Sequence, residues 1–464
     1  MIGASDRWKM EDGKDLSRSL RSRHIQMIAI GGAIGTGLFL GSGTAIHESG
    51  PSIILAYTIT GIFCFFLMRS IGELLLSDIR LHSFIDFIKR YMGNKFEFIT
   101  GWTYWLCWIN IAMADLTASG IYVRFWFPKF PQWATPLIII IVLLITNTAS
   151  VKIFGEMESW FAFIKVIAIL ALIGIGGYLI LIGYHGGGTK ASLNNLVNFG
   201  GFFPTGIRGF LISFQMVLFA FAGIEMVGIT AGETENPKLN LPKAINSLPV
   251  RIGLFYVGSM IIIMSIYPWN ALVSSQSPFV TVFNDVGIQQ AAGIINFVVL
   301  TAALSACNSA IFSTSRTLFA LAKGGNAPKI FKKLGHNLVP NVALNFSSMV
   351  LLIVVVLNYF VPDDVFKLIS GMATINFIFV WIVLIVCHII YRRTRKEKSF
   401  FFQMPGYPFT DYLTILFFVS VLVILMFDKS LFFSLLVSII WFVLLLIIYK
   451  SKKKRRQNYG KSRE

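Results

Sequence analysis

Six glycines interrupt residues 31–43, which read Gly-Gly-Ala-Ile-Gly-Thr-Gly-Leu-Phe-Leu-Gly-Ser-Gly within an apolar segment long enough to cross a membrane. Each glycine weakens a helix interior by about 1 kcal/mol relative to alanine, so the sequence predicts a break in the helix. Lipid offers no partner to unpaired backbone N–H and C=O groups, so a break at membrane depth must be buried in protein or line a wet cavity. The freed backbone groups can then bind a small polar molecule.

A second, weaker break is predicted in residues 219–225, Phe-Ala-Phe-Ala-Gly-Ile-Glu, where Gly223 is followed by an acidic residue inside another apolar run. Interrupted helices at matching places in the two halves of a chain are typical of transporters built from inverted repeats. The two halves show no residue-level repeat, so the placement alone carries this prediction. For the first segment, close packing of small residues between helices is the alternative.

The backbone groups at the two breaks suit the two ends of an amino acid. The amides of Thr36 and Gly37 lie at the start of a half-helix, whose positive dipole end favours a carboxylate. Carbonyls near the breaks favour an ammonium, and they belong to Ala33, Ile34, Phe219 and Ala220. We therefore expect a cavity with donors at one end and acceptors at the other, which fits a zwitterion.

The elements that must position these groups are membrane helices. The chain is 55% hydrophobic, has a mean hydropathy of +0.72 and contains 13% charged residues, whereas a soluble domain contains about 25%. Apolar runs of about 20 residues, the length that a membrane core requires, recur from end to end. The sequence thus predicts an all-α polytopic membrane protein with twelve spans, near 25–46, 51–75, 98–127, 134–151, 158–184, 208–231, 250–270, 288–320, 342–360, 364–391, 410–427 and 430–449.

The charge distribution predicts how the chain is oriented. The chain has 40 lysines and arginines against 22 acidic residues, and the basic residues cluster in alternate loops and at both ends. This bias places both termini in the cytoplasm, for a protein of the cell membrane surrounded by lipid bilayer. It also explains the net charge of +18 without nucleic acid. The predicted segments are a cytoplasmic N-terminal tail (1–24), a transport core (25–391), a cytoplasmic loop (392–409), two further helices (410–449) and a basic cytoplasmic tail (450–464).

Several motifs resemble those of the amino acid transporter family, within the amino acid–polyamine–organocation superfamily. The resemblance begins at residues 23–39, which end in Gly-Gly-Ala-Ile-Gly-Thr-Gly-Leu-Phe, and covers nearly the whole chain. Further motifs are Gly-Pro at 50–51, Arg-Ser-Ile-Gly-Glu-Leu at 69–74, Gly-Trp-Thr-Tyr-Trp at 101–105, Phe-Gly-Glu-Met-Glu at 154–158, Glu-Thr-Glu-Asn-Pro at 233–237 and Pro-Lys-Ala-Ile-Asn at 242–246. Stretches 113–115, 125–128, 158–165 and 294–301 resemble the subfamily for D-serine, D-alanine and glycine.

The resemblance implies a LeuT-like fold, a five-plus-five inverted repeat in which helices 1 and 6 are discontinuous. It also implies a secondary active transporter, or permease, that imports small neutral amino acids such as alanine, glycine, D-serine and D-alanine by proton symport. Exchange, or transport of other amino acids on the same fold, is the alternative, and a membrane-embedded enzyme or sensor is a remote one. No cofactor, metal or enzymatic activity is expected: no His-Glu-x-x-His motif is present, and the four cysteines lack the spacing of a metal site or a disulfide framework.

Three ionisable residues lie inside predicted spans. A charge at membrane depth costs about 3 kcal/mol or more, so each of them requires a functional or structural explanation. By the resemblance, Lys165 matches the lysine that faces span 1 in proton-coupled relatives, so we expect it to exchange a proton during transport. Snorkelling to the interface is the alternative. Glu225 either takes part in proton movement or caps freed backbone donors. Asp115 is expected beside the substrate, with a remote polar pair as the alternative.

Phe219 and a group of glutamates also have expected roles. By the resemblance, Phe219 is an aromatic gate that closes over a small substrate, and without the adjoining break it would be plain core packing. Three glutamates lie near cytoplasmic ends of spans, and we expect them to pair with basic loops or act in gating rather than contact the substrate: Glu73, Glu156 and Glu158. Sodium coupling is disfavoured because Lys165 takes, by the resemblance, the place of the ion.

Overall fold

The computed structural model describes residues 34–78, 81, 83–149, 151–186, 189–226, 236–274, 276–285, 289–335, 338–362, 364–395 and 402–461. Most of these residues are helical, as the sequence predicts. Residues 25–33, which form the first part of the first predicted span and include Ala33, lie outside the described residues.

Eighteen α-helices are present in the described part of the chain. They are α1 (Thr36–Phe39), α2 (Gly41–Ser49), α3 (Ile53–Ser77), α4 (Phe84–Met92), α5 (Asn94–Arg124), α6 (Ala134–Ala149), α7 (Val151–Leu181), α8 (Asn195–Asn198), α9 (Gly206–Phe221), α10 (Pro237–Asn246), α11 (Leu248–Arg251), α12 (Ser259–Ile266), α13 (Pro278–Asp285), α14 (Gln289–Lys323), α15 (Asn341–Phe360), α16 (Val365–Thr394), α17 (Phe409–Leu425) and α18 (Lys429–Lys461). A π-helical stretch, Ile252–Gly258, joins α11 to α12. Two short antiparallel strands, β1 (His185–Gly186) and β2 (Thr189–Lys190), pair in the loop after α7.

The helices are long and apolar enough for a polytopic membrane protein. Eight helical stretches of the described chain meet the length and composition of a membrane span: Gly41–Ser77, Asn94–Arg124, Glu158–Leu181, Pro237–Ile266, Ala292–Lys323, Asn341–Phe360, Val365–Thr394 and Lys429–Lys454. The first of these contains both α2 and α3, which a turn at Gly50–Ser52 connects. Helices α6, α9 and α17 are apolar but shorter. The prediction of a polytopic membrane protein made of α-helices is therefore confirmed.

Two helices form the centre of the bundle. The most apolar part of α5 is 83% buried and that of α16 is 78% buried, whereas the corresponding part of α18 is only 22% buried. Helix α5 packs along α14 and α16, and α9 packs against α2. Polar side chains on α5 are therefore held at the interior of the protein, which is where the candidate site lies.

The last helix is longer than the sequence predicts. The apolar run ends near residue 449, but α18 continues through the basic residues that follow to Lys461. Lys452, one turn into this extension, donates a hydrogen bond to Asn326 Oδ1 at 3.0 Å, and its Nζ lies 5.3 Å from the centroid of the Phe98 ring. The basic segment thus begins as a helix that is held against the ends of α5 and α14.

Glu73 on α3 is fully buried at the end of the bundle where the basic loop after α16 begins. Its Oε1 lies 2.6 Å from Arg392 Nε, and its Oε2 accepts hydrogen bonds from Arg392 at 2.9 Å and from the Met404 backbone N–H at 2.7 Å. Arg69, one turn earlier on α3, donates to the Gln403 carbonyl. This end of the molecule, here called the basic end, is therefore fastened by buried charged groups.

Replacing Glu73 by glutamine is expected to lower the free energy of unfolding by about 3–5 kcal/mol, because removing one charge leaves its buried partner uncompensated. Glu48→Gln is the matched control. Glu48 pairs with Lys367 at 3.3 Å, but both side chains are partly exposed, so its loss should cost about 0–1 kcal/mol. Unfolding of the detergent-solubilised variants by SDS, followed by tryptophan fluorescence, measures both values. Equal losses in the two variants would contradict the role given to the buried pair.

Candidate substrate site

The predicted break in the sixth span is present. Helix α9 ends at Phe221, Ala222 has an extended ψ of 134°, and Gly223 has a φ of +94°, a left-handed conformation that glycine adopts without strain. Residues 222–225 form turns, in which the Ile224 N–H donates to the Phe221 carbonyl at 3.2 Å. The backbone therefore leaves the helix at the place that the sequence predicts.

At the first predicted break, Ile34 and Gly35 are not helical, and α1 begins at Thr36. Gly35 has an extended backbone (φ −125°, ψ −164°), and its carbonyl accepts a hydrogen bond from the Leu38 N–H at 3.1 Å. The predicted half-helix thus begins at Thr36, after two non-helical residues. The helix predicted before it lies outside the described residues, together with the Ala33 carbonyl.

The two breaks touch each other. A Cβ atom added to Gly37 would lie 2.6 Å from Ala220 Cα and 2.9 Å from Ala220 N, which is closer than atoms pack. Both neighbours are backbone atoms, so they cannot move aside as a flexible side chain would. Gly37 is therefore a glycine because α1 and the end of α9 meet backbone to backbone.

The carbonyls at the second break have partners within the protein. The Phe219 carbonyl accepts from the Ala222 N–H at 3.0 Å, and the Ala220 carbonyl accepts from the Tyr256 hydroxyl at 3.1 Å. Each carbonyl oxygen has a second lone pair, which leaves room for an ammonium donor. The Phe219 ring packs edge-on against Phe366 of α16, with the ring centroids 6.0 Å apart.

Asp115 on α5 lies at the start of α1. The Thr36 hydroxyl donates to Asp115 Oδ1 at 2.6 Å, and the side chain is 1% exposed. Asp115 Oδ2 has no hydrogen-bond partner among the described residues. The structure thus brings Asp115 beside Thr36 at the start of α1, with one carboxylate oxygen left to accept a further hydrogen bond.

Lys165 on α7 is fully buried, so it does not snorkel to the membrane surface. Two acids act electrostatically on its ammonium. One is Glu158, two turns earlier on the same face of α7, and the other is Asp115. Glu158 is also fully buried and accepts a hydrogen bond from the Ser305 hydroxyl of α14 at 2.7 Å. Lys165 is therefore a buried cation under the influence of two buried acids, and Glu158 belongs to the interior of the protein rather than to a basic loop.

Glu225 occupies a different polar environment. It is fully buried directly after the second break, and it accepts hydrogen bonds from the Tyr104 hydroxyl at 3.3 Å and from Trp381 Nε1 at 3.2 Å. These donors belong to α5 and α16, so Glu225 fastens the broken helix to the two central helices. This geometry fits a structural role, and it leaves proton movement through Glu225 as a prediction.

A cavity of about 30 Å³ lies where the two breaks meet. Among the residues that line it are Thr36, Gly37, Asp115, Phe219, Ala220, Trp108 and Ser309. One water molecule requires about 10–15 Å³, so this cavity is too small for an amino acid until the surrounding helices move apart. The sequence does not single out Trp108, because an aromatic residue on a buried helix face has the pattern of ordinary core packing.

A much larger cavity, of about 890 Å³, lies at the opposite end of α5 from the basic end. Tyr122, Arg124 and Gln132 are among its lining residues, and Arg124 Nη1 donates to Gln132 Oε1 at 3.3 Å. Tyr122, which lines the wide cavity, lies two helical turns from Asp115, which lines the small one, and both belong to α5. Helix α5 thus connects the wide cavity with the small one.

Apolar helices around two non-helical segments that meet at a buried cavity are typical of membrane transporters. Residues 24–459 match the family model described as amino acid permease. The chain belongs to this family.

Three relatives show how the family varies. "Amino-acid permease AapA" of Bacillus subtilis is 58% identical over 443 residues, which cover 95% of this chain and 96% of the relative. The "D-serine/D-alanine/glycine transporter" of Escherichia coli K12 is 48% identical over 436 residues, or 92% of each chain. The "Aromatic amino acid transport protein AroP" of Shigella flexneri is 40% identical over 433 residues, which cover 93% and 94%.

Proposed function

We propose that this protein is a secondary active transporter of the cell membrane that imports small neutral amino acids, such as alanine, glycine, D-serine and D-alanine, together with a proton. It has twelve spans in this proposal, with both termini in the cytoplasm and a five-plus-five inverted repeat whose first helices are broken. The observation that carries the proposal is the contact of the two breaks at Gly37 and Ala220, beside the buried Asp115.

The substrate enters from the wide cavity in this proposal and binds where the small cavity lies. Its ammonium meets Asp115 Oδ2 and the carbonyls of Ile34, Phe219 and Ala220, while its carboxylate meets the amides of Thr36 and Gly37. Phe219 then closes over the ligand. The volume of about 30 Å³ in the closed state supports a small side chain, because a bulky one requires a larger displacement of the surrounding helices.

Proton coupling is assigned to Lys165. When a substrate ammonium binds next to Asp115, it repels the positive charge of a protonated Lys165, because like charges close together repel. Substrate binding and the proton on Lys165 therefore influence each other. Exchange without net proton flow is the second candidate, and transport of larger amino acids, as the name of the Shigella flexneri relative says of that protein, is the third.

Uptake of labelled alanine by proteoliposomes that contain the purified protein tests the proposal. We expect uptake to follow an inwardly directed proton gradient, to stop when a protonophore collapses the gradient, and to continue when sodium is replaced by another cation. Unlabelled glycine, D-serine and D-alanine should compete, whereas tryptophan and lysine should not. Uptake that ignores the protonophore would refute proton coupling, and competition by tryptophan or lysine but not by glycine or serine would refute the substrate class.

A further inference from the structure

Next to Glu73, the basic end contains a histidine held between two acids. His388 on α16 is fully buried. Its Nδ1 lies 2.7 Å from Asp411 Oδ2 on α17, and its Nε2 lies 3.2 Å from Glu73 Oε2 on α3. The imidazole ring therefore connects three helices through two carboxylates.

This geometry favours the protonated ring. A neutral imidazole donates from one nitrogen and accepts with the other, whereas the imidazolium donates from both. Nδ1 is hydrogen-bonded to Asp411, whereas Nε2 lies beside the Glu73 carboxylate without a hydrogen bond, so loss of the proton would remove the positive charge that faces Glu73. A buried group without its counter-charge is costly, so the proton on His388 stabilises the contact between α3, α16 and α17.

Every element packed around the ring contributes titratable or charged groups. Helix α3 supplies Glu73, and α17 supplies Asp411, which also accepts from the Ser70 hydroxyl at 2.8 Å. Helix α16 supplies Arg392 next to Glu73 and the ring of Tyr391, while the loop before α17 supplies Tyr407, whose ring centroid lies 5.8 Å from that of His388. Arg395 lies 3.8 Å from Glu73. The Arg392 side chain is 15% exposed, so the cluster has an edge that reaches solvent.

We propose that His388 is a second proton-binding site, and that its imidazolium holds α3, α16 and α17 together as a latch at the cytoplasmic end of the transport path. The inference rests on the proposed function in one respect: α3 belongs to the first half of the repeat and α16 to the second, so alternating access moves Glu73 relative to His388. When the proton leaves to the cytoplasm, the latch weakens and the inner side opens. Cytoplasmic acid keeps it closed.

Counterflow exchange of labelled alanine tests the latch, with the same pH on both sides of the membrane so that no proton gradient is needed. We expect exchange by the wild-type protein to rise several-fold from pH 5.5 to pH 8.5. His388→Gln, which cannot carry the proton, should show a flat profile. His47→Gln is the matched control, because His47 is exposed at the far end of α2, and it should keep the wild-type profile. A wild-type profile in His388→Gln would overturn the proposal.

Thermal unfolding provides a second measurement that needs no transport. The melting temperature of the wild-type protein should fall as pH rises and the imidazolium loses its proton, and Asp411→Asn should reduce this pH dependence. Equal pH dependence in both proteins would contradict the latch, even where His388→Gln does not fold. If alanine exchanges normally but net uptake does not respond to a proton gradient, the proposed symport is refuted. The latch is judged separately, by the pH profile of exchange in the wild-type protein and in His388→Gln.

Discussion

Transport by Gly37→Ala is expected to fall by up to about 100-fold, although the protein should still fold and insert. The added methyl group would lie 2.6 Å from Ala220 Cα, so the start of α1 and the end of α9 must move apart. Overpacking of this kind costs about 1–3 kcal/mol, and about 3 kcal/mol corresponds to a 100-fold change in an equilibrium. Because the strain falls on the substrate cavity, it should appear as lost binding.

Gly174→Ala is the control for this prediction. Gly174 also lies in a membrane helix, α7, but a Cβ atom there meets nothing within 4 Å. Alanine uptake and the amount of monodisperse protein in detergent should be measured for both variants. Gly37→Ala with normal uptake would show that the two breaks do not need their close contact, and equal damage in Gly174→Ala would indicate a general effect of helix glycines.

Lys165→Met is expected to abolish accumulation of alanine against its gradient, so that the internal concentration rises only to the external one. Methionine keeps most of the length of the side chain but cannot carry a proton, whereas the charges of Glu158 and Asp115 act on the ammonium of Lys165. Counterflow exchange should survive at a reduced rate, because exchange needs the substrate site but no net proton movement. Loss of accumulation with survival of exchange would identify a role of Lys165 in coupling, because a misfolded protein would lose both activities.

Lys190→Met serves as the control, since Lys190 is an exposed residue of the hairpin after α7. Proteoliposome uptake with and without a proton gradient, beside counterflow, measures both variants. Accumulation by Lys165→Met at the wild-type level would exclude this lysine from coupling. Loss of accumulation and exchange together would leave Lys165 as a structural residue only.

The sequence predicts the start of α1 and the end of α9 because the cause of each is local. Gly223 has a left-handed φ, and Gly35 starts α1 from an extended conformation, so glycine content alone marks both places. The membrane helices were also predictable, since apolar length sets them. The end of α18 was not, because a helix that continues into basic residues is fixed by contacts such as that of Lys452 with Asn326, which no local pattern encodes.

Clusters that join distant parts of the chain could be predicted only in part. Asp115 and Lys165 stood out as charges at membrane depth, but the place of Glu158 between α7 and α14 depends on how these helices pack. Glu73 was expected to pair with a basic loop or act in gating, and it contacts Arg392 in the last turn of α16, next to that loop. The addition of His388 and Asp411 to this pair follows from the packing of three helices, which a single sequence does not reveal.

The most direct test of the central claim is a cryo-electron microscopy map of the protein in lipid nanodiscs with saturating alanine. We predict that residues 222–225 are non-helical and that ligand density lies between Thr36–Gly37 and Phe219–Ala220, with the ammonium towards Asp115. A continuous helix through residues 219–226, or alanine bound at a place that does not include the two breaks, would contradict the account.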